Sequence, residues 1–315
     1  MRAFVEGLDL DSLAGAGDWL AALFTLGSVA AWIARRRAGA RGRRWAASAA
    51  LGVAGGSALT WGKRVEPDLT EVTRERLALT AAPLRVAVLA DLHAGRSDRA
   101  KLARVVERTN AEAPDVVLLA GDFISGYELT EERREKLEGL RGLRAHGGVF
   151  AVLGNHDSEP YGDDTPRRDA IAAALERFGY RVLRNEAVEL RGDLWLAGVD
   201  EVQAGRADAR RALGAVPARA KRVALAHDWH ALDEDVRFDL GVVGHTHGGQ
   251  LCLPFTSACA GPARDRPYVR GRHAWRRGGV LYVNRGVGLS KLPVRIGCRP
   301  EITVFELGPD APSGG

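Results

Sequence analysis

The sequence predicts an α/β fold of two packed sheets with helices outside, and three observations carry that prediction. Short apolar runs recur from Leu84 onward, each closing in a polar or glycine-bearing loop. Helical stretches fall between several of them, and apolar runs bounded by helices read as strands buried on both faces. Histidines and carboxylates gather directly behind the runs, where folds of this class bind their ligands. With 315 residues the chain can bury a substantial core. Its 46% hydrophobic and 27% charged residues exclude a disordered or collagen-like polymer.

Taken in order, residues 1–62 read as a membrane-anchoring region. Residues 19–34 and 45–62 are uncharged and largely apolar, a little short of the roughly 20 residues that span a bilayer. Trp19, Trp32, Trp45 and Trp61 sit at or near their ends as interfacial anchors would, and Gly52 and Gly56 offer a close-packing face. Between them RRRAGARGRR (35–44) holds six arginines. The positive-inside bias predicts a two-helix membrane hairpin with this loop in the cytoplasm and the large domain outside the cell, although Lys63 and Arg64 pull against that orientation. An export signal led by Arg43-Arg44 and a pair of buried soluble helices are the rival readings. Residues 63–83 follow as a linker or lead-in strand ending at Pro83, and a catalytic domain occupies 84–307 before a flexible tail at 308–315.

Within that domain the apolar runs predict strands over 85–90, 116–120, 149–153, 194–198, 222–226, 240–243, 280–283 and 302–307. Helices are predicted over 98–111, 131–144 and 165–178. Charge argues against a nucleic-acid partner. Residues 1–64 hold nine of the 45 Lys/Arg and four of the 40 Asp/Glu, so the +5 net charge lies there and the body is neutral. No phosphate-tracking surface is expected from such a balance. Cys252, Cys259 and Cys298 are too few for a thiolate metal site and read as small core residues, with a Cys252–Cys259 bridge open in an oxidising compartment.

The polar groups behind five of the strands form a constellation. Asp91-Leu92-His93 follows the first, Gly121-Asp122 the second, and Gly154-Asn155-His156-Asp157 the third. His227 follows the strand at 222–226, and Gly244-His245-Thr246-His247-Gly248-Gly249-Gln250 follows the one at 240–243. Five of the chain's eight histidines occupy these strand ends. A lone histidine there would read as a structural residue, but five with Asp91, Asp122 and Asn155 point to metal. Imidazole, carboxylate and amide oxygen without thiolate suit manganese, iron or zinc. The count fits two divalent ions with one carboxylate shared and one histidine left for chemistry. Two dications and two carboxylates leave two positive charges, which suit a hydroxide and a phosphate oxygen. Such a pair activates water and clamps the entering and leaving oxygens of a displacement at phosphorus. The neighbouring glycines Gly121, Gly154, Gly244, Gly248 and Gly249 let the backbone turn sharply around the ions.

With DLH, GD, GNHD, a single His and GHTHGGQ in order over about 160 residues, the sequence resembles the calcineurin-like metallophosphoesterase family. The resemblance implies a four-layer αββα sandwich and a dinuclear site. By position, Asp91, His93, Asp122 and His247 would hold one ion, and Asp122, Asn155, His227 and His245 the other. His156 would contact the phosphoryl group, with Asp157 orienting its ring. Pro254 shortly after GHTHGGQ and the tail YVNRGVGLSKLPVRIGCRPEITVFEL (282–307) resemble the membrane-associated YkuE- and YaeI-type phosphodiesterase branch. Ala94 after DLH and AHDWH (226–230) depart from its usual pattern, so His230 competes with His227 as a ligand. Arg285, Lys291 and Arg295 in the tail read as solvated surface.

The expected reaction is hydrolysis of a phosphodiester or diphosphate, lipid-linked or drawn from the cell envelope. The resemblance makes a UDP-2,3-diacylglucosamine hydrolase-like activity in lipid A biosynthesis the candidate. That chemistry belongs to the cytoplasmic face, whereas the arginine loop places this domain on the other side. A broad phosphomonoesterase, a nuclease and a non-catalytic scaffold are the alternatives.

Overall fold

A computed structural model describes residues 42–126, 128–158, 165–232, 236–253, 256, 258–260, 266–290 and 292–309. The apolar stretch at 19–34 and most of the arginine loop lie outside the described residues. The second apolar stretch falls in α1 (Gly42–Arg64), a helix of 23 residues. That length would suffice for a bilayer, but its glycines, serines and charged ends hold down its hydropathy. Among the described residues no helix is long and apolar enough to cross a membrane.

Two mixed six-stranded sheets make the body. The first contains β1 (Glu71–Ala78), β2 (Leu84–Leu89), β3 (Val116–Ala120), β4 (Val149–Val152), β5 (Arg181–Val182) and β14 (Glu301–Gly308), in the order β1-β14-β2-β3-β4-β5. The second runs β12 (Gly271–Ala274), β13 (Val280–Val283), β9 (Leu240–Val243), β8 (Lys221–Leu225), β7 (Leu194–Gly198) and β6 (Glu186–Arg191). A short pair, β10 (Leu251–Cys252) and β11 (Cys259–Ala260), stands apart. Strands β2 to β5 are mutually parallel, as are β7, β8, β9 and β13.

The period of two in each strand sorts its side chains between layers. Val86, Val88, Val116 and Leu118 meet Leu194, Leu196, Val223, Leu225 and Val242 between the sheets. Their neighbours Ala87, Leu89, Val117 and Leu119 face outward onto α2 (Arg99–Ala111), α3 (Glu131–Leu137) and α4 (Thr165–Glu176), through Leu102, Val105, Leu137, Ile171 and Leu175. On the far side α5 (Ala209–Gly214) and Trp229, Leu232 and Phe238 cover Ala197, Ala224 and Val243. Helix, sheet, sheet and helix thus stack as layers. Asp98 caps α2 by accepting from Lys101 N at 2.6 Å, which explains its sharp start.

The predicted strands all form, within two residues at each end. The helix predicted over 131–144 stops earlier, passing into a 3-10 turn at Glu138–Leu140. Residues 63–83 do more than link, because they contain β1, paired in parallel with β14 from Glu71 opposite Glu301 to Ala78 opposite Gly308. The preceding turn is anchored as well: buried Glu66 accepts from Cys298 N and from Trp61 Nε1, and Gly62 O accepts from Arg295 N.

Candidate metal centre

Parallel pairing places the ends of β2, β3 and β4 side by side in one sheet, and those of β8 and β9 in the other. The loops that leave these ends carry all the predicted site residues. Asp91, His93, Asp122, His245 and His247 have left-handed backbone, with φ of 51°, 48°, 56°, 70° and 50°. Such a conformation costs on the order of 1–3 kcal/mol per residue and persists only where its surroundings impose it. Here the loops lace together: Asp91 N donates to Gly121 O, and His93 N to Asp122 O. Gly154 is required by contact, since a Cβ there would run into the Asp122 carboxylate and backbone. Gly121 combines φ of +79° with a Cβ position 2.8 Å from the His227 ring.

Asp122 lies at the centre. Its Oδ2 is 3.5 Å from His93 Nε2 and its Oδ1 is 3.4 Å from His227 Nε2. On the first side, His93 Nε2 and His247 Nε2 are 3.0 Å apart, and His247 Nε2 lies 3.7 Å from Asp91 Oδ1. The ligand atoms of Asp91, His93, Asp122 and His247 all fall within 4.8 Å of one another, and all four side chains are buried. On the second side, Asn155 Oδ1 is 3.0 Å from His227 Nε2 and 2.9 Å from His245 Nδ1, which are themselves 3.0 Å apart. His227 Nδ1 donates to Ala120 O at 2.8 Å, which turns Nε2 inward. His156 is half-buried beside the cluster, its ring 5.1 Å from that of His93 and its N donating to Asp122 Oδ1 at 2.8 Å.

Burial dominates the electrostatics. It pushes Asp91 up to about 7, with nearby Asp122 adding to the shift. Asp122 is buried too, but His227, His156 and His93 hold its carboxyl well below the usual range. Burial pulls His93 and His245 down to about 3 and His247 well below its ordinary value, which leaves their rings neutral. Against its own burial, His227 is raised well above its usual value by Asp122. Neutral imidazoles converging on carboxylate and amide oxygens are the form that ligates divalent metals. Imidazole nitrogens 3.0 Å apart with lone pairs facing are unstable unless a proton or cation lies between them. The residues present fit such ions.

The model of the calcineurin-like phosphoesterase family matches residues 84–249. The chain belongs to the calcineurin-like phosphoesterase family. It is 32% identical to phosphodiesterase YaeI of Escherichia coli K12, over 84% of this chain and 98% of that protein. It is 28% identical to the uncharacterized metallophosphoesterase YkuE of Bacillus subtilis, over 83% and 93% of the two chains. A Danio rerio transmembrane protein with metallophosphoesterase domain is 30% identical, over 74% of this chain and 55% of its own. As a calcineurin-like phosphoesterase the chain is a metal-dependent phosphoester hydrolase.

The structure brings together every residue that the sequence analysis assigned to the site of this calcineurin-like phosphoesterase, and differs on some surroundings. Asp157 does not act through the His156 ring in its hydrogen bonds here. Its carboxylate accepts from Phe123 N, Ile124 N and Gly154 N at 2.8, 3.2 and 2.8 Å, which ties the β3 loop to the β4 loop. His230 stacks on Trp229 with ring centres 3.7 Å apart and bonds Asp228 through Nδ1, while His227 holds the place in the cluster. Arg295 is fully buried and donates to the carbonyls of Arg285, Gly286 and Gly288 and to that of His247, so it ties the 285–288 loop to the GHTHGGQ loop and is not solvated surface. Arg285 pairs with Glu301 and Glu71, and Lys291 lies outside the described residues. Cys252 and Cys259 form a disulfide, and Cys298 is a buried thiol. Asp228, read in the sequence only as part of the AHDWH departure, meets His245 and Arg266, and no sequence signal pointed to Arg266.

Proposed function

We propose that this chain is a dinuclear metal-dependent phosphodiesterase. The observation that carries it is the Asp122 carboxylate, whose two oxygens face separate donor groups on either side. Asp91, His93, Asp122 and His247 would hold one divalent ion, and Asp122, Asn155, His227 and His245 the other. Manganese, iron or zinc there would supply Lewis acidity at the phosphoryl oxygens and a water acidic enough to attack phosphorus. The protein's share is placement. The His227 Nδ1–H bond to Ala120 O and the Asp157 bonds to three backbone N–H groups hold the donors at fixed angles. His156, beside His93, is placed to steady the phosphoryl group and to protonate the leaving oxygen.

A phosphodiester or diphosphate is the substrate class, a reading supported by 32% identity to a protein named as a phosphodiesterase. A lipid-linked substrate, of which UDP-2,3-diacylglucosamine is the candidate, follows if the N-terminal region attaches to a membrane. The uncharged stretch at 19–34, the arginines at 35–44 and the transmembrane name of the Danio rerio relative support that attachment. The Cys252–Cys259 disulfide supports a domain outside the cytoplasm. Full-length protein loaded with Mn²⁺ is expected to cleave bis-p-nitrophenyl phosphate, and inertness toward it and toward nucleotide-lipid diphosphates would defeat the proposal. Faster cleavage of monoesters, or of plasmid DNA at physiological salt, would favour the phosphomonoesterase or nuclease reading instead. A cysteine introduced near residue 40 should be labelled only from the cytoplasmic side.

A further inference from the structure

At His245 two groups of opposite chemistry converge on one ring nitrogen. Asp228 Oδ2 lies 3.2 Å from His245 Nε2, and Arg266 Nη2 lies 3.0 Å from the same atom. An ionised carboxylate only accepts and a guanidinium only donates, so Nε2 can serve one of them at a time. The choice decides the other edge of the ring. With Nε2–H donating to Asp228, Nδ1 turns a lone pair toward Asn155 Oδ1 and His227 Nε2, 2.9 and 3.0 Å away. With Nε2 accepting from Arg266, Nδ1 carries the proton and that edge cannot ligate.

Asp228 is built to hold its place. It is only 3% exposed, and its Oδ1 accepts from His230 Nδ1 at 2.8 Å and from His230 N at 3.2 Å. Arg266 Nη1 reaches both oxygens, at 3.3 and 3.1 Å. We propose that Asp228 is a positioning residue, which fixes His245 in the tautomer whose Nδ1 can take an ion, and that Arg266 is the competing donor. The inference rests on the two-ion reading above. A carboxylate behind a ligating histidine sets its ring orientation and raises its basicity, and losing such a partner weakens metal affinity roughly 10–100-fold. Because Asp228 directly follows His227, one loop then supplies both a donor of the centre and the group that readies a second donor on a neighbouring loop.

The test titrates the full-length protein with Mn²⁺ by calorimetry, as wild type, Asp228→Asn, Arg266→Gln and His230→Ala. Asp228→Asn is expected to weaken one of the two ions by about 10–100-fold and to leave the other within about threefold. Arg266→Gln should hold or tighten the same ion, because only the competitor is gone. His230→Ala, which removes one ring bond to Asp228 and leaves the carboxylate itself in place, should weaken the same ion by less than Asp228→Asn does. Wild-type affinity in Asp228→Asn overturns the proposal, and so does an Arg266→Gln or His230→Ala loss equal to that of Asp228→Asn. A spectroscopic reading does not depend on any variant folding. In ¹⁵N-histidine spectra of the Zn²⁺-loaded wild type, His245 must show a protonated Nε2, and a protonated Nδ1 sinks the idea. A wild type that binds no ion would instead defeat the two-ion reading and be recognised as such.

Discussion

Asp122 offers one oxygen to each side of the centre while accepting from His156 N, and no neutral side chain can replace it there. Asp122→Asn is therefore expected to lose both ions, checked by metal analysis of the purified variant; full occupancy would reject the shared-carboxylate assignment. His156 has a different expected signature. His156→Ala should keep both ions and lose on the order of 10²–10⁴ in rate, the usual worth of positioned acid–base help. Loss of metal in that variant would mean that a donor has been mistaken for a catalyst. The residues of the centre were legible because each stands directly after an apolar run, in a motif short enough to read by eye. Asp157 was read in the right place with the wrong partner, since nothing in one dimension tells a carboxylate that meets an imidazole from one that meets three backbone N–H groups. Arg295 was misread for a related reason: its partners are carbonyl oxygens, which carry no sequence signature.

At the scale of elements, the strands that were legible are those buried on both faces, such as β3, where all five residues are buried. β6 (EAVELR) was not, and β1 (EVTRERLA) was legible only as a linker or lead-in strand, because each is an edge strand, half exposed and rich in charge, without a continuous apolar run. Helix α2 carries a buried cation that yields a pH prediction. Lys101 Nζ donates to Pro67 O at 2.7 Å, and burial, with Arg295 adding, lowers its pKa to about 8. The folded state gives up this proton more readily than the unfolded chain, so the unfolded chain binds more protons between about 8 and the ordinary value of 10.5. Stability from this group must then rise with pH across that window, by at most about 3 kcal/mol. Denaturant unfolding of wild type and Lys101→Met at pH 8 and 10 should show the wild type gaining relative to the variant. A parallel dependence in the two proteins would contradict the prediction.

For the whole molecule, the centre joins loops from both sheets, so ions bound there would hold the two halves of the sandwich together. Mn²⁺ at 100 times its Kd should raise the unfolding free energy by about 2.7 kcal/mol for each site, and excess EDTA should remove that gain, as thermal melts would show. Identical melts with and without Mn²⁺ would mean that the donors are not bridged by ions in solution. The layered architecture was legible from the alternation of apolar runs and helices, whereas the disulfide depended on β10 pairing with β11, which spacing left open.

The parallel pairing of β1 with β14 has a mechanical consequence. β1 enters the sheet from the N-terminal segment, and its eight register pairs with β14 lie along the line on which any pull from that segment would act. Tension applied there loads the whole ladder in shear, so its bonds must fail together instead of unzipping one after another. The segment that leads into the domain is thus tied to the sheet by a full strand ladder rather than by a loose link.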